Sequence, residues 1–236
     1  MKHRTFHLLL AIFLFCAYCN AQELGKHDFI RHGLFYRNIK NPGYDSTAIR
    51  LSGKTYAVII NGSKDLKSNR ESYWNDCSFL YTTLRNYYKI PRTNISVIMS
   101  DGKDPGADIT MEDNSVVSSL LDLDGDGTDD IDYAATKENI KAVFSRLSNR
   151  IYSRDHLLVF IVGHGYKDKA SYISLWGNED NLYPQELSDY VKDIKAGYIT
   201  FVLGQCFSGG FIDALKADNR LILAACGKDE KSWTRP

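Results

Sequence analysis

Two apolar runs in the second half of the chain constrain its fold more than any other feature. The runs cover residues 157–162 and 199–203, and a glycine ends each of them. Apolar, β-branched and aromatic runs of this length, bounded by glycine, predict buried β-strands. A reactive side chain follows each predicted strand closely, His164 after the first and Cys206 after the second.

The rest of the chain repeats an alternation of strands and helices. Further strands are predicted at 55–60, 95–99, 170–177 and 221–226, and helices at 73–88, 136–147, 184–194 and 211–216. Strands joined through helices pair in parallel by right-handed crossovers. The predicted fold is therefore a three-layer α/β/α sandwich with a mainly parallel sheet. Active sites of such sheets lie outside the carboxyl ends of the strands, where His164 and Cys206 both fall.

The N-terminus has the parts of an export signal. Lys2 and Arg4 give a basic start, residues 8–15 are an unbroken apolar run, and Cys19-Asn20-Ala21 supplies small residues for cleavage before Gln22. The apolar run is too short for a stable membrane span. We therefore expect a secreted or periplasmic protein.

The domain organisation follows from that signal. Residues 1–21 are the predicted signal peptide, residues 22–53 a loosely structured lead-in, and residues 54–236 one domain. The chain of 236 residues is 44% hydrophobic, enough for a real core. Lys+Arg and Asp+Glu both number 29, so the basic excess of a nucleic-acid binder is missing, and we expect no nucleic-acid partner.

Cysteine usage leaves a thiol free. After signal cleavage three cysteines remain, Cys77, Cys206 and Cys226. An odd number in an exported protein leaves one unpaired thiol or an intermolecular bridge. We interpret Cys77, on a helix face, and Cys226, in the last strand, as core residues.

Cys206 has the surroundings of a nucleophile. A thiol attacks as a thiolate, which a helix N-terminus and a nearby imidazole favour. The sequence Ser208-Gly209-Gly210 predicts a helix start directly after Cys206, and His164 arrives from the neighbouring strand end. We predict a dyad of Cys206 and His164, with the amides of Gly165 and Cys206 as an oxyanion hole.

These motifs resemble those of a known group of enzymes. Residues 159–165 resemble the His-Gly motif of clan CD cysteine peptidases, which include caspases, metacaspases, legumains, clostripain and gingipains. Residues 203–210 resemble their cysteine motif, and residues 133–140 the legumain stretch that leads into the helix before the histidine strand. The resemblance covers residues 54–233 and is closest to the legumain-like branch, including its bacterial members.

The resemblance implies a caspase-like fold and cleavage of a peptide or protein substrate through a thioester acyl-enzyme. Cys206 would attack the scissile carbonyl, and His164 would act as general base and protonate the leaving amine. In this clan the two side chains need not touch at rest. Hydrolysis by a secreted endopeptidase is the leading hypothesis.

The resemblance also places a specificity pocket in residues 63–72 and 226–233. The candidate substrate-binding residues are Arg70, Asp229, Ser232 and Trp233. Arg70 lies where caspases and legumains supply an arginine that binds an acidic or amide side chain, and Ser232-Trp233 resembles the Ser-Trp pair of caspases. Asp229 and Glu230 could instead select Arg or Lys, as in clostripain-like enzymes, and all three charges could also be plain surface charge. We favour cleavage after Asp or Asn.

An aspartate-rich stretch at residues 122–132 predicts a calcium loop. Carboxylates alternate, a glycine follows the third, and the candidate ligands are Asp122, Asp124, Asp126, Thr128 and Asp130. The twelfth position is Tyr133 rather than the bidentate Glu of an EF-hand, and Asp129 or Asp132 could substitute. Calcium suits hard oxygen ligands on a flexible loop. A solvated acidic loop is the alternative.

Two other functions fit the same sequence. One is a legumain-like transamidase or ligase, and the other is a non-catalytic calcium-binding module that retains the fold. The chain ends at Pro236, immediately after the predicted pocket strand. We therefore expect a fragment, a homodimer that completes its pocket, or a short inactive form.

Overall fold

The structure is a computed structural model, and it describes residues 53–177 and 180–232. The predicted signal peptide, nearly all of the lead-in and Trp233 lie outside these residues. In the part of the chain that is described, no helix has the length and apolar character needed to cross a membrane.

The described residues form ten strands and four α-helices. In chain order the strands are β1 Thr55–Gly62, β2 Ile95–Met99, β3 Ile109–Thr110, β4 Val116–Val117, β5 His156–Gly163, β6 Gly165–Lys167, β7 Ser171–Ser174, β8 Asn181–Leu182, β9 Tyr198–Leu203 and β10 Arg220–Ala224. The helices are α1 Glu71–Thr82, α2 Lys137–Ser148, α3 Pro184–Val191 and α4 Ile212–Leu215.

A five-stranded parallel sheet organises the fold, as predicted. Its order is β10-β9-β5-β1-β2, and every neighbouring pair is parallel. All eight residues of β5 are buried, because this strand lies at the centre with covered faces on both sides. The three-layer α/β architecture predicted from the sequence is confirmed.

The side chains of each strand alternate between the two faces of the sheet, and helices cover both faces. Val58, Ile60 and Val159 join one core cluster with Phe144 of α2 and Leu187 of α3. The intervening strand residues point to the opposite face, where α1 packs against β1 and β5. The buried residues of α1 are Tyr73, Cys77, Leu80 and Tyr81, so the prediction of Cys77 as a core residue is confirmed.

Two predicted helices are only partly α-helical. The α-helix predicted to reach residue 88 ends at Thr82 and continues as a π-helical segment, Thr83–Tyr87. The helix predicted at 211–216 is a 3₁₀ turn, Ser208–Phe211, followed by the four residues of α4. Apolar spacing cannot distinguish these tighter and wider turns from an α-helix, because it reports only which side is buried.

The last strand also ends earlier than predicted. β10 stops at Ala224, so Cys226 lies in the following loop and is half-buried rather than part of the core. Its Sγ atom lies 3.2 Å from the Glu230 carbonyl oxygen and 3.7 Å from that of Gln205.

A small antiparallel sheet stands beside the carboxyl edge of the main sheet. It has the order β6-β7-β8 and is called the outer sheet below. The hairpin strand predicted at 170–177 is its middle strand, β7. β6 begins one residue after His164, so the outer sheet continues directly from a candidate catalytic position.

Candidate active site

The backbone at the end of β5 fixes the position of His164. Gly163 has a φ of 131°, and a Cβ atom there would lie 1.8 Å from the Gly62 carbonyl oxygen, so only glycine fits. The His164 amide donates to that same oxygen at 3.2 Å, and the His164 carbonyl accepts from Ser174 N at 3.0 Å. Hydrogen bonds from two neighbouring strands therefore hold His164 at the edge of the sheet.

The His164 ring is oriented by the loop after β1. Its Nε2 atom lies 2.9 Å from the carbonyl oxygen of Ser68. Because a carbonyl oxygen only accepts, Nε2 carries the proton, and Nδ1 of the neutral ring is left as the acceptor. Tyr73 of α1 meets the ring edge-on, with centroids 5.5 Å apart and planes at 89°.

The charge state of His164 suits a proton acceptor. Burial lowers the pKa of its imidazole, the hydrogen bond to Ser68 raises it, and the nearby charge of Arg70 lowers it. The result is a pKa below the ordinary histidine value, so the ring is neutral at pH 7. Burial also raises the pKa of Tyr73 to about 12, so its phenol stays protonated.

Buried amides keep the Ser68 loop in place. The Asn69 side chain donates to Ser100 Oγ at 2.6 Å and to the Asp108 carbonyl at 2.8 Å, and accepts from Asn61 Nδ2 at 3.0 Å. Both asparagines are fully buried. Asn61 Oδ1 has no hydrogen-bond partner among the described residues, but the three bonds of Asn69 are enough to hold the loop. The half-buried residue whose carbonyl orients His164 is therefore fixed by its buried neighbour Asn69.

Cys206 lies in a turn just beyond β9. The following residue, Phe207, has a φ of 57°, a left-handed conformation that costs about 1–2 kcal/mol for a residue with a Cβ atom. Its amide donates to the Glu230 carbonyl at 2.8 Å, and the Cys226 amide donates to Ser208 Oγ at 3.2 Å. The segment after β10 thus fixes the turn that presents Cys206.

The sulfur of Cys206 is half-buried against Ser232. Its Sγ atom lies 3.4 Å from the Ser232 carbonyl oxygen, and Ser232 Oγ lies 3.6 Å from the sulfur. Ser232 Oγ also lies 3.1 Å from the Gly204 carbonyl oxygen, to which it donates. The thiol donates to the Ser232 carbonyl, and the Ser232 hydroxyl has two acceptors for its one proton, the Gly204 carbonyl oxygen and the sulfur.

The strand register places both candidate residues just beyond the ends of two paired strands. β5 and β9 are neighbours, and Ile161 pairs with Leu203. His164 and Cys206 each stand three residues beyond that pair. A Cβ atom on Gly165 would lie 2.0 Å from the Cys206 carbonyl oxygen, so the residue after the histidine touches the cysteine turn directly.

The direction of the Gly165 amide follows from the strand pairing of the outer sheet. Gly165 faces Ile173 across the outer sheet. The bond from Ser174 N to the His164 carbonyl makes the neighbouring pair a hydrogen-bonded one. Hydrogen-bonded and non-bonded pairs alternate in an antiparallel ladder, so the Gly165 amide points away from β7.

The helix start expected to favour a Cys206 thiolate is weak. The Ser208–Phe211 turn and the four-residue α4 replace the longer predicted helix. A macrodipole needs several aligned peptide units, so little field is available here. Activation of Cys206 therefore depends on His164 rather than on a helix.

The predicted pocket residues lie in different settings. Arg70 is the exposed residue before α1, and its charge acts on both His164 and Tyr73. Asp229 forms an ion pair with Lys167, which lowers the pKa of its carboxyl. Glu230 accepts from the Gly227 amide at 2.9 Å.

The acidic loop brings together only part of the predicted ligand set. Asp122, Asp124 and Asp130 each offer a carboxylate oxygen within 4.8 Å of the others. Asp126 instead accepts from the Thr128 amide at 2.9 Å. Asp132, a suggested substitute, forms an ion pair with Arg92 at 2.7 Å.

The three converging carboxylates have unequal environments. Asp130 is buried and accepts from the Tyr81 hydroxyl and from Leu123 N at 2.9 Å, with Arg92 Nε 3.4 Å away. Hydrogen bonds from Gly127 and other loop amides lower the pKa of Asp122. Burial and the charges of Asp130 and Asp126 raise that of Asp124, whose Oδ1 atom has no hydrogen-bond partner among the described residues.

Sequence reasoning missed Ser68 and Tyr73. Ser68 acts through its backbone carbonyl, which no side-chain pattern reports. Tyr73 is the first residue of the helix predicted at 73–88 and lies one residue beyond the predicted pocket segment 63–72.

The fold is a three-layer α/β sandwich of the caspase-like type, with a histidine and a cysteine after two neighbouring strands. A family model described as the Peptidase C13 family matches residues 55–235, so the chain belongs to that family, the legumain family of clan CD.

One solved structure is distantly similar to this chain. Among solved structures, protein GSU0716 from Geobacter sulfurreducens matches 65% of this chain at 12% identity with a TM-score of 0.38. The chain spans about half of that protein, 51% of its length. No curated protein matches the chain.

Proposed function

We propose that this chain is an exported cysteine endopeptidase that hydrolyses peptide bonds after Asp or Asn through Cys206 and His164. The observation that carries the proposal is that both residues follow the paired Ile161 and Leu203 by three residues, and that Gly165 touches the Cys206 turn. The orientation of the His164 ring adds support, because the bond to Ser68 leaves Nδ1 free to accept a proton.

The first half of the reaction forms a thioester. The Cys206 proton moves to His164 Nδ1 while Sγ attacks the scissile carbonyl carbon. The amides of Gly165 and Cys206 stabilise the oxyanion that results. Collapse breaks the C–N bond, and the imidazolium gives its proton to the leaving amine.

The second half consumes water. His164 Nδ1 takes a proton from a water molecule, whose oxygen attacks the thioester carbonyl. The C–S bond breaks, the proton returns to sulfur, and the carboxylic acid product leaves. A transamidase would differ only here, because an amine would replace water as the attacking group.

The charges around the site favour an acidic or amide side chain before the scissile bond. Arg70 forms no ion pair among residues 53–177 and 180–232, and its charge reaches His164. The carboxylates that could select Arg or Lys are engaged, Asp229 by Lys167 and Glu230 by the Gly227 amide. Arg70 can therefore bind the substrate carboxylate or amide oxygen.

Fluorogenic peptides that end in Asn, Asp, Arg or Lys test this proposal. We expect hydrolysis after Asn or Asp, loss of activity in Cys206→Ala, and retained activity in Cys226→Ser, a matched half-buried thiol. Mass spectrometry with an added amine distinguishes hydrolysis from transfer. A folded protein that cleaves none of the peptides, with Cys206 no more reactive to iodoacetamide than Cys226, would favour the non-catalytic module.

We propose further that the acidic loop binds calcium. The convergence of Asp122, Asp124 and Asp130 supports this proposal, since like charges so close together repel unless a cation intervenes. The ion pair of Asp130 with Arg92 reduces this repulsion, because the guanidinium offsets part of the negative charge of the three carboxylates. Thermal unfolding measured with and without calcium tests this proposal directly.

Export is also proposed, on the residues of the N-terminus alone. Expression of the whole chain in a host with a secretion pathway should give a mature protein that begins at Gln22. N-terminal sequencing of the product measures this, and retention of Met1 would contradict it.

A further inference from the structure

A row of aromatic rings leads away from His164 across the outer sheet. The tyrosine row consists of Tyr166 on β6, Tyr172 on β7 and Tyr183 directly after β8. Ring centroids are 6.1 Å apart from His164 to Tyr166, 5.6 Å from Tyr166 to Tyr172 and 5.4 Å from Tyr172 to Tyr183. The proposed chemistry of the dyad does not require these rings.

The rings lie on the open face of the outer sheet. Residues that alternate with them, Ile173 and Leu182, are 0% exposed and belong to the core. Tyr166 and Tyr183 keep 39% and 38% of their surface exposed. Contiguous exposed aromatic surface beside a candidate active site indicates a contact surface.

The topology shows which part of a substrate would meet the row. Cys206 lies between Ser232, which follows β10, and His164, which follows β5. The leaving amine receives its proton from His164, so the leaving segment lies on the His164 side. The tyrosine row begins at that side and continues outward.

The spacing of the row matches an extended polypeptide. Side chains on one side of an extended chain repeat every two residues, about 6.6 Å. The row steps by 5.4–6.1 Å, close enough for successive same-side residues to meet successive rings. The adjacent Lys167 is paired with Asp229, so the row offers ring faces and no free cation from that residue.

We propose that the tyrosine row binds the substrate segment that follows the scissile bond and selects aromatic or large aliphatic side chains there. The inference rests on the proposed peptidase function but concerns a surface separate from Arg70. Tyr166, Tyr172 and Tyr183 are thus specificity-determining residues for the leaving side.

Two internally quenched peptides test the row. They share one sequence up to the scissile bond; one continues with three glycines, and the other has Phe at the first and third positions after the bond. The parent protein should cleave the Phe peptide with the higher kcat/KM. Tyr166→Ala should reduce the ratio of the two kcat/KM values by about tenfold, the upper end for aromatic contacts.

Matched variants separate the ring from the hydroxyl and from general effects. Tyr166→Phe keeps the ring and should keep the ratio. Tyr152→Ala removes a 63% exposed tyrosine outside the row and should leave the ratio unchanged. A loss of stability in Tyr166→Ala lowers both rates together and so cancels in the ratio.

A binding measurement keeps the row testable if the peptidase proposal fails. Calorimetry of Cys206→Ala with the two intact peptides should give tighter binding of the Phe peptide, and adding Tyr166→Ala should remove the difference. Absence of cleavage by the parent contradicts the peptidase alone. Two results would contradict the proposed role of the tyrosine row. One is no preference for the Phe peptide, and the other is a preference that Tyr166→Ala changes neither in rate nor in binding.

Discussion

The edge that carries His164 and Cys206 and the acidic loop at residues 122–130 are organised in opposite ways. At the edge, neutral groups and backbone carbonyls hold each side chain, as Ser68 does for His164 and Ser232 for Cys206. In the acidic loop, carboxylates approach one another within 4.8 Å. We therefore expect the edge to act without a cation and the loop to be stabilised by one. Mutations at the edge should therefore change catalysis, whereas mutations in the acidic loop should change the response to a cation.

The largest effect is expected at the edge, in His164→Ala. Loss of the proton acceptor should lower kcat by roughly 10²–10⁴-fold, the usual contribution of a general acid–base. Thermal unfolding should change little, because the ring is only half-buried. His156→Gln is the contrasting variant, since that buried histidine contacts Thr200 and should affect stability rather than kcat. Equal kcat in His164→Ala and the parent would remove His164 from the reaction.

A smaller effect is expected at Tyr73, which holds the His164 ring by its edge. Tyr73→Leu should lower kcat by about tenfold, since edge-to-face aromatic pairs contribute about 0.5–1.5 kcal/mol. Tyr73→Phe keeps the ring and should cost less than about threefold. Steady-state kinetics on both variants measures this, and the reverse order would assign the role to the hydroxyl instead.

The acidic loop should respond in stability rather than in rate. Calcium at 100 times its Kd should stabilise the parent by about 2.7 kcal/mol, which is roughly 5–10 °C in Tm for a chain of this size. Asp124→Asn should abolish that rise. Without calcium its Tm should equal or exceed that of the parent, because the substitution removes a carboxylate whose pKa is raised by burial and by Asp130 and Asp126.

Differential scanning calorimetry with calcium, magnesium or chelator measures these shifts. Asp113→Asn is the matched control, an exposed carboxylate outside the loop that accepts from Ser115 N at 2.8 Å. A calcium rise that persists in Asp124→Asn would place the cation elsewhere, and no rise in the parent would leave a solvated acidic loop.

Arg70→Ala should lower kcat/KM through weaker substrate binding, and its smallest effect is a shift of the pH profile of the rate that remains. The Arg70 charge disfavours the imidazolium form and so lowers the pKa of His164. Without it that pKa rises, His164 stays protonated to higher pH, and the acidic limb of kcat/KM moves up. Lys67→Ala, an exposed cation of the same loop, is the control. An acidic limb that moves to lower pH would contradict the effect of the Arg70 charge on His164.

Most of the fold could be predicted because its strands carry strong local signals. Five apolar runs bounded by turn residues became the five parallel strands, and residues after two of them reached the same edge. Helix ends were less predictable. Thr83 Oγ1 lies 2.8 Å from the Phe79 carbonyl oxygen, a local contact within the last α-helical turn before the π-helical segment, which apolar periodicity does not report.

The candidate site was predictable where function resides in a side chain and unpredictable where it resides in backbone. The sequence by itself determined that a thiol and an imidazole follow buried parallel strands, since strand periodicity and topology rules require that result. Only the tertiary structure decided that Ser68 orients His164, that Asp229 is paired with Lys167, and that three tyrosines form a row. Those contacts join residues distant along the chain, and their geometry depends on loop paths that no local pattern specifies.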